Sequence, residues 1–358
     1  MVFQSSARFK SSRYSRGYIV IILTIFILLI TYSSIKIVFD SAMYEYQRVK
    51  WKADYIRAHF LAQSGLSTAM EFIKKIKQDQ LYQFGILNQM IPFQFPGMDG
   101  SGTLILTEET GKINVNYIIN FFDDNENGDV RHMLDRLSEH LNISPDIWDG
   151  VEDWIDENNV ALPRGYEEVD YSMMEPPRRI KNGRLHSLEE LLLIPGFDNW
   201  LLYNDRRSKY EKEAYSKDFA TKEDLLVQTD EDYILANNLT YYIPEKADVE
   251  GRKININSAP YHVILSLSDF MSPDVAQAVV KERIKNGGYF QSINDLQSIT
   301  QLLLPSSGGG TILDEIKGQL VFKNRIYKVV VEVSSGLQSA RIVGIYDTEA
   351  AKLIMYLE

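Results

Sequence analysis

The chain has 358 residues, 45% hydrophobic and 24% charged, with a formal net charge of −11 and no cysteine. This size and composition imply a packed core, more than one domain and little disorder. They exclude thiolate chemistry, cysteine-bound metal and disulfide staples, and the acidity opposes general binding to phosphate backbones.

Residues 1–17 carry Arg8, Lys10, Arg13 and Arg16 and no acid, which leaves −15 on the remainder (−11 less +4). From Tyr18 to Ile35 no residue is charged, the lower length at which a helix spans a bilayer. Basic residues ahead of such a run predict a cytoplasmic N-terminus and a body outside. A cleaved secretory signal would have a shorter apolar core and an Ala-x-Ala-like site, and "TYSSIKIVFDSAM" has no convincing one. An anchor, transmembrane over about 18–37, is therefore preferred.

Beyond the anchor, Phe39, Met43, Tyr46, Val49, Ala53, Ile56 and Phe60 recur at spacings of three and four, and Ile73 and Ile76 continue them. No proline occurs between Gly17 and Pro92. One helix over 18–80 fits this pattern, as does an anchor followed by a separate helix.

Two β-rich segments bracket a helical middle. "GTLILTEETGKINVN" (102–116) predicts two short strands about a turn. Residues 326–358 predict three strands, the first two joined at Ser-Ser-Gly, with Tyr327, Val329, Val331 and Val333 on one face. Between 121 and 321 helices are expected. Ser187 with Glu190, and Thr221 with Asp224, have capping-box spacing. "LHSLEELLLIPGF" (185–197) and "YFQSINDLQSI" (289–299) repeat the form Ser-x-x-acid-Leu. Pro260 and Pro273 suit helix starts and Gly287-Gly288 a helix end, a helix-hairpin-helix (SAM-like) layout. The expected class is α+β: a pilin-like long N-terminal helix plus antiparallel sheet (81–120 and 322–358), with a mainly helical insertion over 121–321.

Two acidic strings have the oxygen ligands that calcium takes. In "DDNENGD" (123–129), Asp123, Asn125 and Asn127 before Gly128, with Asp129, match half an EF-hand loop. The closing twelfth position is Leu134, so a solvated turn is the competing interpretation. The second string gathers Asp153, Asp156, Glu157, Glu167, Glu168 and Asp170, with Trp148 and Trp154 nearby as core residues. No phosphate loop, dinucleotide fingerprint or nucleophile elbow appears, and the five histidines lack metal or triad spacing, so no enzyme activity is expected.

Taken in order, several segments resemble the type II secretion system protein K family, the large minor pseudopilins. They are the basic leader ending at Gly17, "FLAQSGLSTAMEFI" (60–73), "GKINVN" (111–116), "DWIDENNVALPRGYEEVDY" (153–171), "RLHSLEELLLIPG" and "KININSAPYHVILSL". The resemblance implies cleavage between Gly17 and Tyr18 and methylation by the prepilin peptidase. It also implies an inner-membrane, single-pass protein with a periplasmic body, in contact with lipid and the inner-membrane platform. Its place would be at the pseudopilus tip with other minor pseudopilins, and calcium would bind in the insertion. Most pilins have Glu at the fifth mature position, here Ile22; a carboxylate there needs a partner in the membrane, which a first-placed subunit lacks. The alternative is a membrane-anchored helix-hairpin-helix receptor for DNA uptake. Against nucleic-acid binding, the turn "SDFMS" (268–272) puts Asp269 where glycines would let backbone N–H groups meet phosphate.

Overall fold

The computed structural model describes residues 13–97, 100–123, 125–205, 207, 229–243, 250–306 and 309–357. Residues 1–12 of the predicted leader (1–17) and the Thr221–Asp224 capping box lie outside them.

One helix, α1 (Arg13–Lys75), forms the stem, followed by the short α2 (Gln78–Gln83). A five-stranded antiparallel sheet lies on its second half, in the order β1 (Met90–Gln94), β2 (Ser101–Glu108), β7 (Ile326–Ser335), β8 (Gln338–Asp347), β9 (Lys352–Leu357). Tyr327, Val329, Val331 and Val333 alternate toward α1 as expected, packing with Leu61, Leu66 and Ile73. The stem's buried face is Ala58, Leu61, Ala62, Leu66, Ala69 and Ile73, so only the end of the predicted stripe, Ile73 with the partly buried Ile76, lies on it. Phe39, Met43, Tyr46, Val49, Ile56 and Phe60 are all exposed. Ala58, Ala62 and Ala69 let the helix lie close to the sheet, Leu61, Leu66 and Ile73 pack between them and the strands, and the aromatic and other large residues at 39–60 point away.

The β7–β8 hairpin turns through Gly336 at φ +57, and a Cβ there would meet the Asp54 carboxylate. Asp54 therefore marks where the body begins along the stem. Toward the other end, Lys74 lies over the Tyr346 ring at 5.8 Å and Tyr82 reaches Asn324 at 2.6 Å. The sheet end at Glu108 and Tyr327, which are paired across β2 and β7, is thus the end far from the apolar run.

From that end the chain leaves the sheet and returns as a separate helical body. Residues 111–116, expected as a sheet strand, belong to this insertion. After Glu108 the chain turns away, because that carboxylate accepts the N–H groups of Thr110 and Gly111, both at 3.2 Å. The next strand, β3 (Ile113–Asn114), is buried on both faces and pairs in parallel with β4 (Leu239–Thr240). A second two-stranded pair, β5 (Ile254–Asn255) with β6 (Leu320–Val321), closes the insertion.

The insertion has its own core. Helix α3 (Gly128–His140) contributes Val130, Met133, Leu134 and Leu137, one face at helical spacing. Helix α4 (Ile147–Ile155) contributes Trp148, Val151, Trp154 and Ile155. The two Ser-x-x-acid-Leu strings both begin short helices, a 3-10 turn over Leu188–Leu193 and an α turn over Ile293–Leu296. Helices Tyr261–Leu265 and Pro273–Lys285 follow each other closely. Pro273 is at the first helical position as expected, Pro260 just before its helix, and Gly287 and Gly288 take positive φ after Asn286.

Candidate functional site

Two features outside the hydrophobic cores are candidates for function: the bare part of the stem and an acidic cluster in the insertion. An 18-residue window of α1 has mean hydropathy 2.5 and no residue buried. The hydroxyls of Thr24, Thr31 and Ser34 are satisfied within the helix. Thr24 Oγ1 donates to the Val20 carbonyl at 2.7 Å, and Ser34 Oγ to that of Ile30 at 2.8 Å. Such internal bonding makes Ser and Thr tolerable in lipid. Among the described residues this is the one helix long and apolar enough to cross a membrane, which fits a single-pass anchor. Gly17 and Tyr18 lie within α1, with nothing within 4 Å of where a Gly17 Cβ would stand.

The acidic cluster is built on α4. With the tryptophans turned into the core, the remaining face carries Asp149, Glu152 and Asp153, and Asp156 caps the end. Asp153 is fully buried, and both its oxygens accept the N–H of Leu162, at 3.3 and 3.2 Å. Gly165 passes so close that any Cβ there would overlap the Asp153 carboxylate. The loop then brings in Glu167, 5% exposed, whose two carboxylate oxygens have no hydrogen-bond partner. Burial, then the nearby Asp153 and Asp156, push Glu167 up to about 7. Burial also raises Asp153 to about 6, against the opposing N–H groups of Leu162 and Tyr166.

Not every predicted ligand joins. Asp156 Oδ2 accepts from Asn158 Nδ2 at 2.7 Å, and Asp170 Oδ2 accepts the Glu167 N–H at 2.9 Å, so both remain beside the cluster. Glu168 turns away to accept the Ile180 N–H at 3.1 Å. The described residues of "DDNENGD" do not converge on one point. Asp123 accepts the Asn125 N–H at 3.3 Å, and Asn127 is buried with its N–H on the Ile118 carbonyl at 2.7 Å. Gly128 opens α3, and Asp129 faces Arg252 at 3.6 Å.

Sequence reasoning missed Arg131, which reaches Asp135 at 2.9 Å, Asp149 at 2.8 Å and Glu152 at 2.5 Å. Burial opposes its charge, but the carboxylates outweigh this and hold its pKa above the usual range. Burial raises Glu152 to about 7 against the pull of Arg131. Only the Arg131–Asp135 spacing of four gave a signal.

As they stand, no three acidic or histidine side chains among the described residues converge to hold one metal ion. The fit to a hard divalent cation lies in the donor chemistry, and in the two buried Glu167 oxygens that accept nothing. The one histidine displaced far from its usual range, His262, is a core residue 3% exposed, lowered to about 3 by burial.

A stem helix half bare and half laid on an antiparallel sheet, with a helical body inserted between adjacent strands, defines a pilin-like protein with a large insertion. Residues 111–204 and 254–322 each match a family model described as type II secretion system (T2SS), protein K. Both matches are to the same family, and with the fold above they support T2SS protein K. No curated protein matches it. Among solved structures it is similar to a chain of the GspK–GspI–GspJ complex from the enterotoxigenic Escherichia coli type 2 secretion system. That similarity has 14% identity and a TM-score of 0.55, covering 88% of this chain and 97% of that one. At that identity the likeness is one of fold.

Proposed function

We propose that the chain is a minor pseudopilin, without enzymatic activity, that caps or initiates the periplasmic pseudopilus of a type II secretion system. Residues 18–37 would hold it in the inner membrane with the N-terminus cytoplasmic. The prepilin peptidase would cut between Gly17 and Tyr18 and methylate the new end. The observation that carries this reading is the site of the insertion, which grows from the sheet end far from the anchor. A subunit so covered at its far end has no room for another above it and suits an end position. Ile22 in place of the usual pilin Glu supports a subunit that has no earlier neighbour to meet.

The exposed Phe39, Met43, Tyr46, Val49, Ile56 and Phe60 suit packing against lipid and sibling stems. The partners would be other minor pseudopilins, as GspK is found with GspI and GspJ in the similar complex, together with the inner-membrane platform. Calcium would bind the insertion through Glu167 and Asp153, with Asp156 and Asp170 beside them, and would neutralise their repulsion.

The test is the intact mass and N-terminal sequence of the protein from native membranes, with and without the prepilin peptidase. A peptidase-dependent start at Tyr18 is expected. A start at Met1 would leave a plain anchor, and one beyond Ile37 would mean a secretory signal and end the pseudopilus reading. Immunogold labelling tests the end position, which even decoration along filaments would overturn.

A further inference from the structure

The covalent link between the insertion and the sheet is a poor joint. The insertion leaves from the end of β2 and returns at the start of β7, and these are neighbouring strands with Glu108 opposite Tyr327. Two legs leaving side by side, about 5 Å apart as adjacent strands are, define an axis about which a body can swing. Apolar contact through Ile326 and Ile345 extends the insertion's core to the sheet, but such contact has no preferred direction. Something directional, reaching beyond the legs into the insertion, has to set the angle.

Glu108 has the contacts for this. It is the last residue of β2, 3% exposed, and its carboxylate is received by three separate segments. From the outgoing leg it accepts the N–H groups of Thr110 and Gly111 at 3.2 Å and the Thr110 hydroxyl. From the returning leg it accepts the Arg325 N–H at 3.4 Å. From inside the insertion it accepts the Ser258 hydroxyl, 150 residues on in the chain. The Arg325 guanidinium is engaged by Asp347 at 3.1 Å and Glu349 at 3.2 Å. Burial raises the pKa of this carboxyl, and the donors from Ser258, Thr110 and Arg325 oppose the rise because they bond its ionised form more strongly.

A neutral cluster braces the returning leg beside it. Asn324 Oδ1 accepts from Tyr82 Oη at 2.6 Å and from Asn255 Nδ2 at 2.7 Å, and the Asn324 carbonyl accepts from Gln78 Nε2 at 2.8 Å. That cluster ties α2 to the leg and, through Asn255, to one strand of the insertion. Glu108 ties both legs to the insertion itself.

We propose that Glu108 is a latch that fixes the orientation of the insertion on the stem-and-sheet body, and that Ser258 is its catch. With the latch in place the insertion is presented at one angle to whatever it meets. Without it the two bodies remain folded and swing.

The absence of cysteine makes site-specific labelling direct. Spin labels go on the exposed positions Thr68 of the stem and Gln297 of the insertion, as T68C and Q297C, in the full chain in detergent. Inter-label distances are compared for the parent, Glu108→Gln and Ser258→Ala, with hydrogen exchange of α3 as the control for folding. Glu108→Gln keeps the shape and turns an amide NH2 toward groups that are themselves donors. The expected result is a broadened, displaced distance distribution in Glu108→Gln and a smaller broadening in Ser258→Ala, with protection of α3 unchanged. A Glu108→Gln distribution superimposable on the parent overturns the latch. If Glu108→Gln loses protection in α3, Ser258→Ala decides: broadening supports the latch and superposition overturns it.

Discussion

The buried acids of the insertion should make the metal-free protein less stable as pH rises. The folded-state pKa of Glu167 is raised, from an ordinary 4.5 to about 7. A raised carboxyl binds its proton more tightly in the fold than in the unfolded chain. Its contribution is therefore most favourable below the unfolded value and is lost as pH climbs toward the folded one. A displacement of that size at a single site corresponds to about 3 kcal/mol. Because Asp153 and Asp156 interact with Glu167, the group titrates together and that figure is a ceiling for the site.

Thermal unfolding with chelator, followed by fluorescence of the buried Trp148 and Trp154, should show a midpoint about 5 °C lower or more at pH 8 than at pH 5.5. Glu167→Gln should flatten this slope and raise the midpoint at pH 8. Millimolar calcium should restore the parent at pH 8 and do less at pH 5.5, because ligand and proton compete for the same oxygens. His262, lowered in the fold, works in the opposite sense in parent and variant alike, so a parent midpoint in chelator that does not fall relative to Glu167→Gln from pH 5.5 to 8 would refute the reasoning. So would a Glu167→Gln variant less stable than the parent at pH 8, since that would mean the carboxylate has a favourable partner after all.

Three further outcomes follow from the packing and the surface. Leu61→Ala, at a stem residue 1% exposed against the sheet, should cost about 2–5 kcal/mol in denaturant unfolding of the body. Gly336→Ala should cost about 1–2 kcal/mol from its left-handed backbone alone, and more because the new Cβ meets Asp54; the same denaturant assay reads it. Asp269 is 74% exposed in its pair with Arg136 at 3.0 Å, so Asp269→Ala should change stability by less than about 1 kcal/mol. Parent and variant should both leave short duplex DNA unshifted at low salt, and a tight, salt-sensitive shift would favour the DNA-receptor alternative.

The stem could be read in the sequence because 18 uncharged residues and a long proline-free run leave few other solutions. Which face it packs could not. Large residues at helical spacing look like a core stripe, but Phe39, Met43 and Tyr46 lie on the part of α1 ahead of Asp54, where the body begins, and even Phe60 beyond it points outward. The contact is made instead by Leu61, Leu66 and Ile73 with Ala58, Ala62 and Ala69 interspersed, and the alanines are too small to dominate a periodicity. The β7–β8 hairpin was readable from its alternation and Gly336. Strand β1 was missed because Pro92, tolerated on an edge strand, argues against a strand at all. The acid types around Glu167 were readable as oxygen donors. Their sorting was not: Glu168 and Glu167 are adjacent in the chain, yet one bonds a distant backbone N–H and the other is sealed inside.

The error over residues 111–116 bears on how the fold accommodates so large an insertion. Ile113 and Val115 alternate like a sheet strand, but a two-residue strand buried on both faces carries the same pattern, and Glu108 has already turned the chain out of the sheet. Because β2 and β7 are neighbours, about 200 residues can be added there without changing the strand order, provided the addition packs a core of its own. It does, from Ile113 through Leu320. Stem and sheet thus remain a generic pilin-like platform, while both family matches fall on the insertion. What distinguishes this subunit from others of similar build is concentrated in the inserted body and in the few bonds around Glu108 that hold it in place.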